Sequence, residues 1–394
     1  MAWRFKASKY KNAAPKFPKK EEWISEVSTR DLGQSCGNHI AASCAYMAFN
    51  IDSGGGGKLA ILPLTASGKY GPNLPVLHAH GDFVSDFSFS QFDDFLLATG
   101  SHDHRVSIWN LPDEDMMEGQ INLLEASTTL PQQESRIENV LWNPIAENVL
   151  AISTSNVVKI FDVEECREKC VLNDHKDQVQ SISWKGDGSI IASSCKDKTL
   201  RIFDPRSQKV VQEGCGPQNI KDSRAYWLGN KDQLLSSGFD TSRSREVKLF
   251  DTRNLKSALH SMSFGTSTGV MMPLFDEDTN MLFLIGKGDT SINYLEVSES
   301  SPYLTENSVV RTEQTKRSGI GAKESSGCNG GRVPVIVPRK TYRDFHDDLF
   351  PPTSSGDPVL SAANWFSGEN GQVKTISLNP ERRENVVCQS EANC

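Results

Sequence analysis

SHDHRVSIWN, residues 101–110, sets three metal-capable side chains side by side: His102, Asp103 and His104. Its meaning depends on whether it stands alone. Two other stretches share its form, CKDKTLRIFD (195–204) and RSREVKLFD (243–251). Each has a polar turn, then alternating apolar residues, then an aromatic followed by Asp or Asn. The alternation marks a half-buried strand, because successive side chains on a strand point to opposite faces. In the second copy the histidines become Lys196 and Lys198, while Asp103 is matched by Asp197. Metal ligands are not expected to vanish between copies of one unit. A turn before a strand needs only the Asp, which bonds its own backbone. The stretch therefore reads as the turn and strand of a repeat, with no metal and no cofactor.

The strand-ending aromatics are Trp109, Phe161, Phe203 and Phe250, followed by Asn110, Asp162, Asp204 and Asp251, at spacings of 52, 42 and 47 residues. A further copy, GDTSINYLEV, ends near Tyr294, and an earlier one, GGGGKLAILPL, ends near Leu62. Periods of this size, each with room for about four short strands, indicate propeller blades. No segment of ten or more residues keeps a helical period outside the loops, and Gly and Pro punctuate the chain throughout.

The 394 residues suit one large repeat domain or two ordinary ones, and 37% hydrophobic content allows a real core. A net charge of −8 argues against a nucleic-acid binder. No apolar run approaches the ~20 residues of a membrane span, and the first twenty residues lack the apolar stretch of a secretory signal. The nine cysteines are scattered without zinc spacing and read as reduced thiols, with Cys195 expected to be buried in a strand. SGGGGKLAILPL (53–64) fails the phosphate-loop pattern, since Leu59 follows Lys58, and reads as a hairpin turn. GKGD (286–289) reads as a β-turn. No nucleophile elbow, zincin helix or phosphate loop is present, so nothing points to an enzyme.

The unit HGDFVSDFSFSQFDDFLLATGSHDHRVSIWN, from His80, is the fullest. It resembles a WD40 repeat, which implies that His80, Ser101, Asp103 and Trp109 join in a hydrogen-bonded network across one blade. The unit around CKDKTLRIFD keeps His175 and Asp197 but has Cys195 and Phe203 in place of Ser and Trp, so its network is expected to be partial.

Six motifs in order resemble the coronin family: SKYKNAAP near the start, FDDFLLATGSHDHRVSIWNLP (92–112), CKDKTLRIFDPR (195–206), SSGFDTSRSREVKLFDTRN (236–254), LFLIGKGDTSINYLEV (282–297) and VPRKTYRDFHDDLFPPT (337–353). MAWRFKASKYKNAA and the stretch 38–50 are most similar to the first propeller of the long, tandem-propeller POD type. The resemblance implies an all-β, seven-bladed WD40 propeller over 31–340. A basic N-terminal segment (1–30) would supply a closing strand at Trp3–Lys9, an extension (341–380) would pack on the propeller, and 381–394 would form a tail. KRSGIGAKESSGCNGGR (316–332) reads as disordered. About twenty strand-forming residues expected after YLEV are replaced, so the seventh blade is expected to be incomplete. Residues 354–394 carry no heptads, so the coiled coil of short coronins is not expected here.

The same resemblance implies a non-enzymatic, cytoplasmic protein of the actin cytoskeleton. Further partners it suggests are microtubules, the branched-actin nucleation complex and trafficking adaptors at the Golgi or vesicle periphery. The alternative is a trafficking or ubiquitin-ligase adaptor with little direct actin binding. Arg4, Lys6, Lys9, Lys11, Lys16, Lys19 and Lys20 precede the first acid, Glu21, with Trp3, Phe5, Tyr10 and Phe17 interleaved. Such a segment is either an edge strand guarded by outward lysines or a patch for an acidic partner such as F-actin. An acidic membrane surface would compete for it. In short coronins an arginine after the first strand serves filament binding; Ser28 falls at that position in SEVSTRD (25–31), with Arg30 two residues later. The actin-binding candidates are thus Lys6, Lys9, Lys11, Lys19, Lys20 and Arg30. Arg243, Arg245, Lys196 and Lys198 lie in turns and are expected to be exposed and mostly solvated.

Overall fold

In a computed structural model of the chain, the described residues are 14–15, 19, 22–28, 36–52, 56–113, 121, 124–286, 289, 291–311, 335–336, 345 and 350–379. The repeat pattern becomes six four-stranded antiparallel sheets. Blade 1 comprises Ile40–Ala42, Tyr46–Asn50, Gly57–Pro63 and Val76–His80. Blade 2 comprises Val84–Phe89, Leu96–Ser101, Val106–Asn110 and Thr128–Thr129. Blade 3 comprises Ile137–Trp142, Val149–Thr154, Val157–Asp162 and Arg167–Leu172. Blade 4 comprises Val179–Trp184, Ile191–Cys195, Thr199–Asp204 and Lys209–Cys215. Blade 5 comprises Arg224–Trp227, Gln233–Phe239, Ser244–Asp251 and Asn254–Thr266. Blade 6 comprises Met271–Asp276, Met281–Gly286, Ser291–Val297 and Leu304–Arg311. The first strands of successive blades pack side by side, so each unit contributes one stave to a propeller.

The seventh sheet shows, among the described residues, only an antiparallel pair of Ala14–Pro15 with Val335–Ile336. It joins the N-terminal segment to the chain that follows blade 6. The expected strand Trp3–Lys9 and the segment 316–332 lie outside the described residues.

Burial departs from the half-buried expectation. Val106, Ser107, Ile108 and Trp109 are all buried, as is every residue of Val149–Thr154, Val179–Trp184 and Gln233–Phe239. Blades 2 to 5 each lie between two neighbouring sheets, so alternation in the sequence does not translate into one wet face. Alternation appears toward the outer strands, as in Ser244–Asp251 and Lys209–Cys215. The apolar side chains gather in layers between blades. Tyr46, Leu59 and Leu77 of blade 1 meet Val84, Phe87 and Trp109 of blade 2. Val106 and Ile108 of blade 2 meet Ile137, Leu150 and Phe161 of blade 3.

The chain after the sheets turns back onto blades 3 and 4. Leu360 bridges Ala146, and the Val359 N–H donates to the Ile145 carbonyl at 2.9 Å. A six-residue helix, Ala362–Ser367, follows. Ser361 caps it by accepting from the Asn364 N–H, and Gly368 ends it in the left-handed region at φ 99°. Trp365 on this helix is fully buried. Its ring stands edge-on to Trp184, with centroids 5.7 Å apart, and Arg206 lies over it at 4.8 Å. The indole N–H donates to the Gly188 carbonyl at 2.9 Å. Gly188 sits at φ 62°, and a Cβ there would press on Asn143 and Ile145. Arg206 closes the clasp by donating to Asn370 Oδ1 and the Glu369 carbonyl, both at 2.6 Å. The extension is thus part of the packed structure. No helix among the described residues is long and apolar enough to cross a membrane.

Trp365→Ala removes a fully buried indole and its hydrogen bond. It is expected to cost about 3–5 kcal/mol, read as a lowered midpoint in urea unfolding. A loss below about 1 kcal/mol would show that the extension does not clasp blades 3 and 4.

Candidate functional site

In blade 2 the turn from the opening stretch is tied to the link that enters the blade. His80 Nδ1 lies 3.1 Å from Asp103 Oδ2. A carboxylate only accepts, so Nδ1 is the donor. The same oxygen accepts the Gly81 N–H at 3.2 Å, and Asp103 Oδ1 accepts the Arg105 N–H at 3.0 Å. Burial alone would raise the Asp103 carboxyl, but the His80 hydrogen bond and charge outweigh it and hold the group at about 2.

The hydroxyl that carries the network inward is Thr99, which the sequence reading missed. His80 Nε2 lies 2.8 Å from Thr99 Oγ1, and the Trp109 indole N–H donates to that same oxygen at 2.9 Å. Ser101 stands elsewhere. Its hydroxyl donates to the Asp82 carbonyl at 3.1 Å and accepts the Asp103 N–H at 3.1 Å, closing the turn. Thr99 and Ser101 share a face because they are two apart on one strand. Both are fully buried, and Thr99, two residues from the Leu97 that pairs with Trp109, is the one within reach of the indole. His102 packs edge-on against Phe83, and His104 takes the left-handed turn position at φ 68°.

Blade 4 shows what substitution does to this network. His175 Nε2 lies 2.8 Å from Ser193 Oγ, the counterpart of Thr99. Cys195 is buried and its thiol donates to the Asp177 carbonyl at 3.1 Å, as Ser101 does to Asp82. Arg201 occupies the place of Ser107 and draws Asp197 to itself at 2.8 Å. The carboxylate still accepts the Lys176 and Thr199 N–H groups. His175 Nδ1 is left without a hydrogen-bond partner among the described residues, and Phe203 offers its ring without an N–H. Burial, with the Arg201 charge second, pushes the His175 imidazole down to about 4.

A second polar layer lies at the entry of the first strands. Register shifts recur at Val84/Asp86, Ile137/Asn139 and Val179/Ser181, so Ser85, Glu138 and Gln180 are the extra residues of three matching bulges. Asp86 is buried and accepts the Val140 N–H of blade 3 at 2.9 Å and the Asn38 N–H at 3.3 Å. Burial pushes its carboxyl up to about 6 against those bonds. Gln180 accepts the Ser223 hydroxyl at 2.6 Å, and Arg224 pairs with Asp222 at 2.8 Å. Burial lowers the Arg224 guanidinium, but the Asp222 charge outweighs it and holds the group above its usual value. These residues stitch blades together, and none of them forms a nucleophile–base arrangement.

The basic candidates divide. Lys6, Lys9, Lys11, Lys20 and Arg30 lie outside the described residues. Lys19 is exposed, and its backbone N–H donates to Glu22 Oε2 at 3.0 Å. Ser28 is also exposed, with its carbonyl accepting the Asp52 N–H of blade 1 at 3.0 Å. Lys198 and Arg243 are exposed in left-handed turn positions, and Lys196 is half-buried. Arg245 departs from expectation. It is only 8% exposed and is paired with Asp289, because it points inward from a strand start rather than outward from the turn.

Thr99→Val keeps the shape but strands the Trp109 N–H and the His80 ring. A loss of about 2–4 kcal/mol is expected, against about 1 kcal/mol for Ser101→Ala, compared by urea midpoints. Equal losses would remove Thr99 from the centre of the network. His175 contributes a second expectation. Its folded pKa lies below the unfolded value, so the unfolded chain binds the proton first and stability falls as pH drops from 6.5 towards 4. Against a His175→Gln variant, the parent should lose on the order of 3 kcal/mol across that window. Parallel pH profiles would contradict the buried neutral ring.

The chain matches three family descriptions. "Domain of unknown function (DUF1899)" covers residues 3–69, "WD domain, G-beta repeat" covers 71–110 and 166–204, and "Type of WD40 repeat" covers 332–373. It is 37% identical to coronin-7 of Bos taurus, over 96% of this chain and 42% of that protein. It is 31% identical to coronin-2A of Homo sapiens, over 96% of this chain and 76% of that one. The chain therefore spans about two fifths of the coronin-7 relatives it matches. The WD40 domain of a Toxoplasma gondii coronin superposes with a TM-score of 0.80 at 27% identity, covering 93% of this chain and 97% of that one. Sheet architecture, repeat matches and nearly full-length likeness agree, and the chain belongs to the coronin family.

Proposed function

We propose that the chain is a non-enzymatic scaffold of the actin cytoskeleton, engaging F-actin through the basic residues of its N-terminal segment. Membership of the coronin family carries this reading. The charge distribution supports it. Seven cations precede the first acid in a chain whose net charge is −8, so positive potential concentrates at one end. A strongly acidic filament is steered to such a patch, and the rigid blades present their turns as fixed display points. The titratable groups of the blade networks support the same reading, because Asp103, Asp197 and Asp86 are committed to internal bonds. The residues proposed to meet the filament are Lys6, Lys9, Lys11, Lys19, Lys20 and Arg30.

The test is co-sedimentation of the monodisperse protein with actin filaments at low and high salt, beside a Lys6→Glu, Lys9→Glu, Lys11→Glu variant. Pelleting should fall several-fold with salt and with the triple change, because both screen or reverse the same charges. A folded protein that does not pellet at low salt would overturn the filament reading and leave the trafficking or ubiquitin-ligase adaptor role.

A further inference from the structure

The turns and links of blades 2, 3 and 4 border an open recess of about 660 Å³. Its lining includes His104, Glu134, Arg136, Glu138, Asp177 and Gln178. Glu138 is the extra residue of the blade 3 bulge, and its side chain is 1% exposed. Oε1 accepts from Arg136 Nε at 2.6 Å and from Gln178 Nε2 at 2.8 Å. Oε2 has no hydrogen-bond partner among the described residues. A buried carboxylate oxygen left this way costs more than a typical hydrogen bond contributes. Burial also holds the Glu138 carboxyl above its usual range despite Arg136.

Three features state what would complete the site. An ionised carboxylate only accepts, so the missing group is a donor. Glu134 and Asp177 join Glu138 in the lining, against Arg136 and Lys176, so with Arg136 turned aside three acids face one lysine, which favours a cation and opposes a phosphate. The resident partner is itself a guanidinium on a side chain that is 47% exposed and therefore able to turn aside. When it does, Oε1 keeps the Gln178 bond and regains room for a second donor, and a planar fork matches the paired oxygens of a carboxylate. The recess exceeds one side chain in volume and is bordered by turns from three blades, so it has room for the peptide flanking such a group.

We propose that this recess is a docking site for an arginine side chain of a partner peptide, which takes the place of Arg136 on Glu138. The inference is independent of the filament reading, which rests on the N-terminal segment.

The test uses the full chain and fluorescein-labelled peptides of glycine and serine with one central arginine, citrulline or lysine, followed by anisotropy. The arginine peptide should bind saturably and the citrulline peptide should not. Glu138→Gln should weaken binding about tenfold or more, as expected for a hydrogen bond to a charged group. Arg136→Ala should tighten it several-fold by vacating the carboxylate, a direction that simple loss of structure does not produce. No saturable binding to the folded Arg136→Ala variant would overturn the site. Equal binding of the lysine peptide would overturn the guanidinium assignment. Binding unchanged by Glu138→Gln, with folding verified by circular dichroism, would place the peptide elsewhere.

Discussion

A sheet packed on both faces has no wet side to which its polar groups can retreat. That constraint governs this molecule. A hydroxyl, amide or carboxylate in the inner strands has to find its partner in the same blade or the next, and one that does not, such as Glu138 Oε2, carries a cost. The side chains meet it by bonding across the blade boundary. The Ser181 and Ser183 hydroxyls accept the Ala225 and Trp227 N–H groups at 2.6 and 2.9 Å. Ser85 donates to the Ile137 carbonyl, and Ser237 to the Met271 carbonyl, both at 2.6 Å. Asp86 does the same with a carboxylate. The apolar layers between blades supply the burial, and these bonds fix the rotation of one sheet on the next.

The two best-described networks show how the scheme tolerates substitution. Blade 2 runs from Asp103 through His80 and Thr99 to Trp109 without an unmet group among those four. Blade 4 replaces two of its members and inserts Arg201, and the carboxylate leaves the histidine for the stronger charge. His175 is then held by one bond and by packing on Phe203. The turn before the strand survives in both, because it depends on the Asp accepting the N–H two residues on. This is why the opening stretch recurs with its Asp kept and its histidines exchanged.

Much of the fold was legible because strand period, turn chemistry and repeat spacing all agree. The strand that carries Trp109 appears where its aromatic placed it. What the sequence could not show is depth. Thr99 and Ser101 are equivalent in pattern, and only the reach of the indole separates them. Arg245 follows an exposed turn, yet the strand start turns it inward to Asp289. Trp365 lies in a stretch with no repeat signal, and its partners are far away in sequence. Glu138 carries no repeat signal in the sequence, and the bulge of blade 3 places its side chain below the surface.

The Trp365 clasp has a consequence for synthesis. Gly188 and Trp365 are 177 residues apart. At ribosomal rates of about 5–20 residues per second, the indole emerges roughly 10–35 s after the carbonyl it will bond. Throughout that interval Trp184, Ile145 and their neighbours have no cover from the extension. Blades 3 and 4 are therefore made with an open apolar seam, and a segment translated after all six sheets is the one that covers it. The nascent propeller carries that seam uncovered from its fourth blade until Ala362–Ser367 emerges, an interval set by chain order.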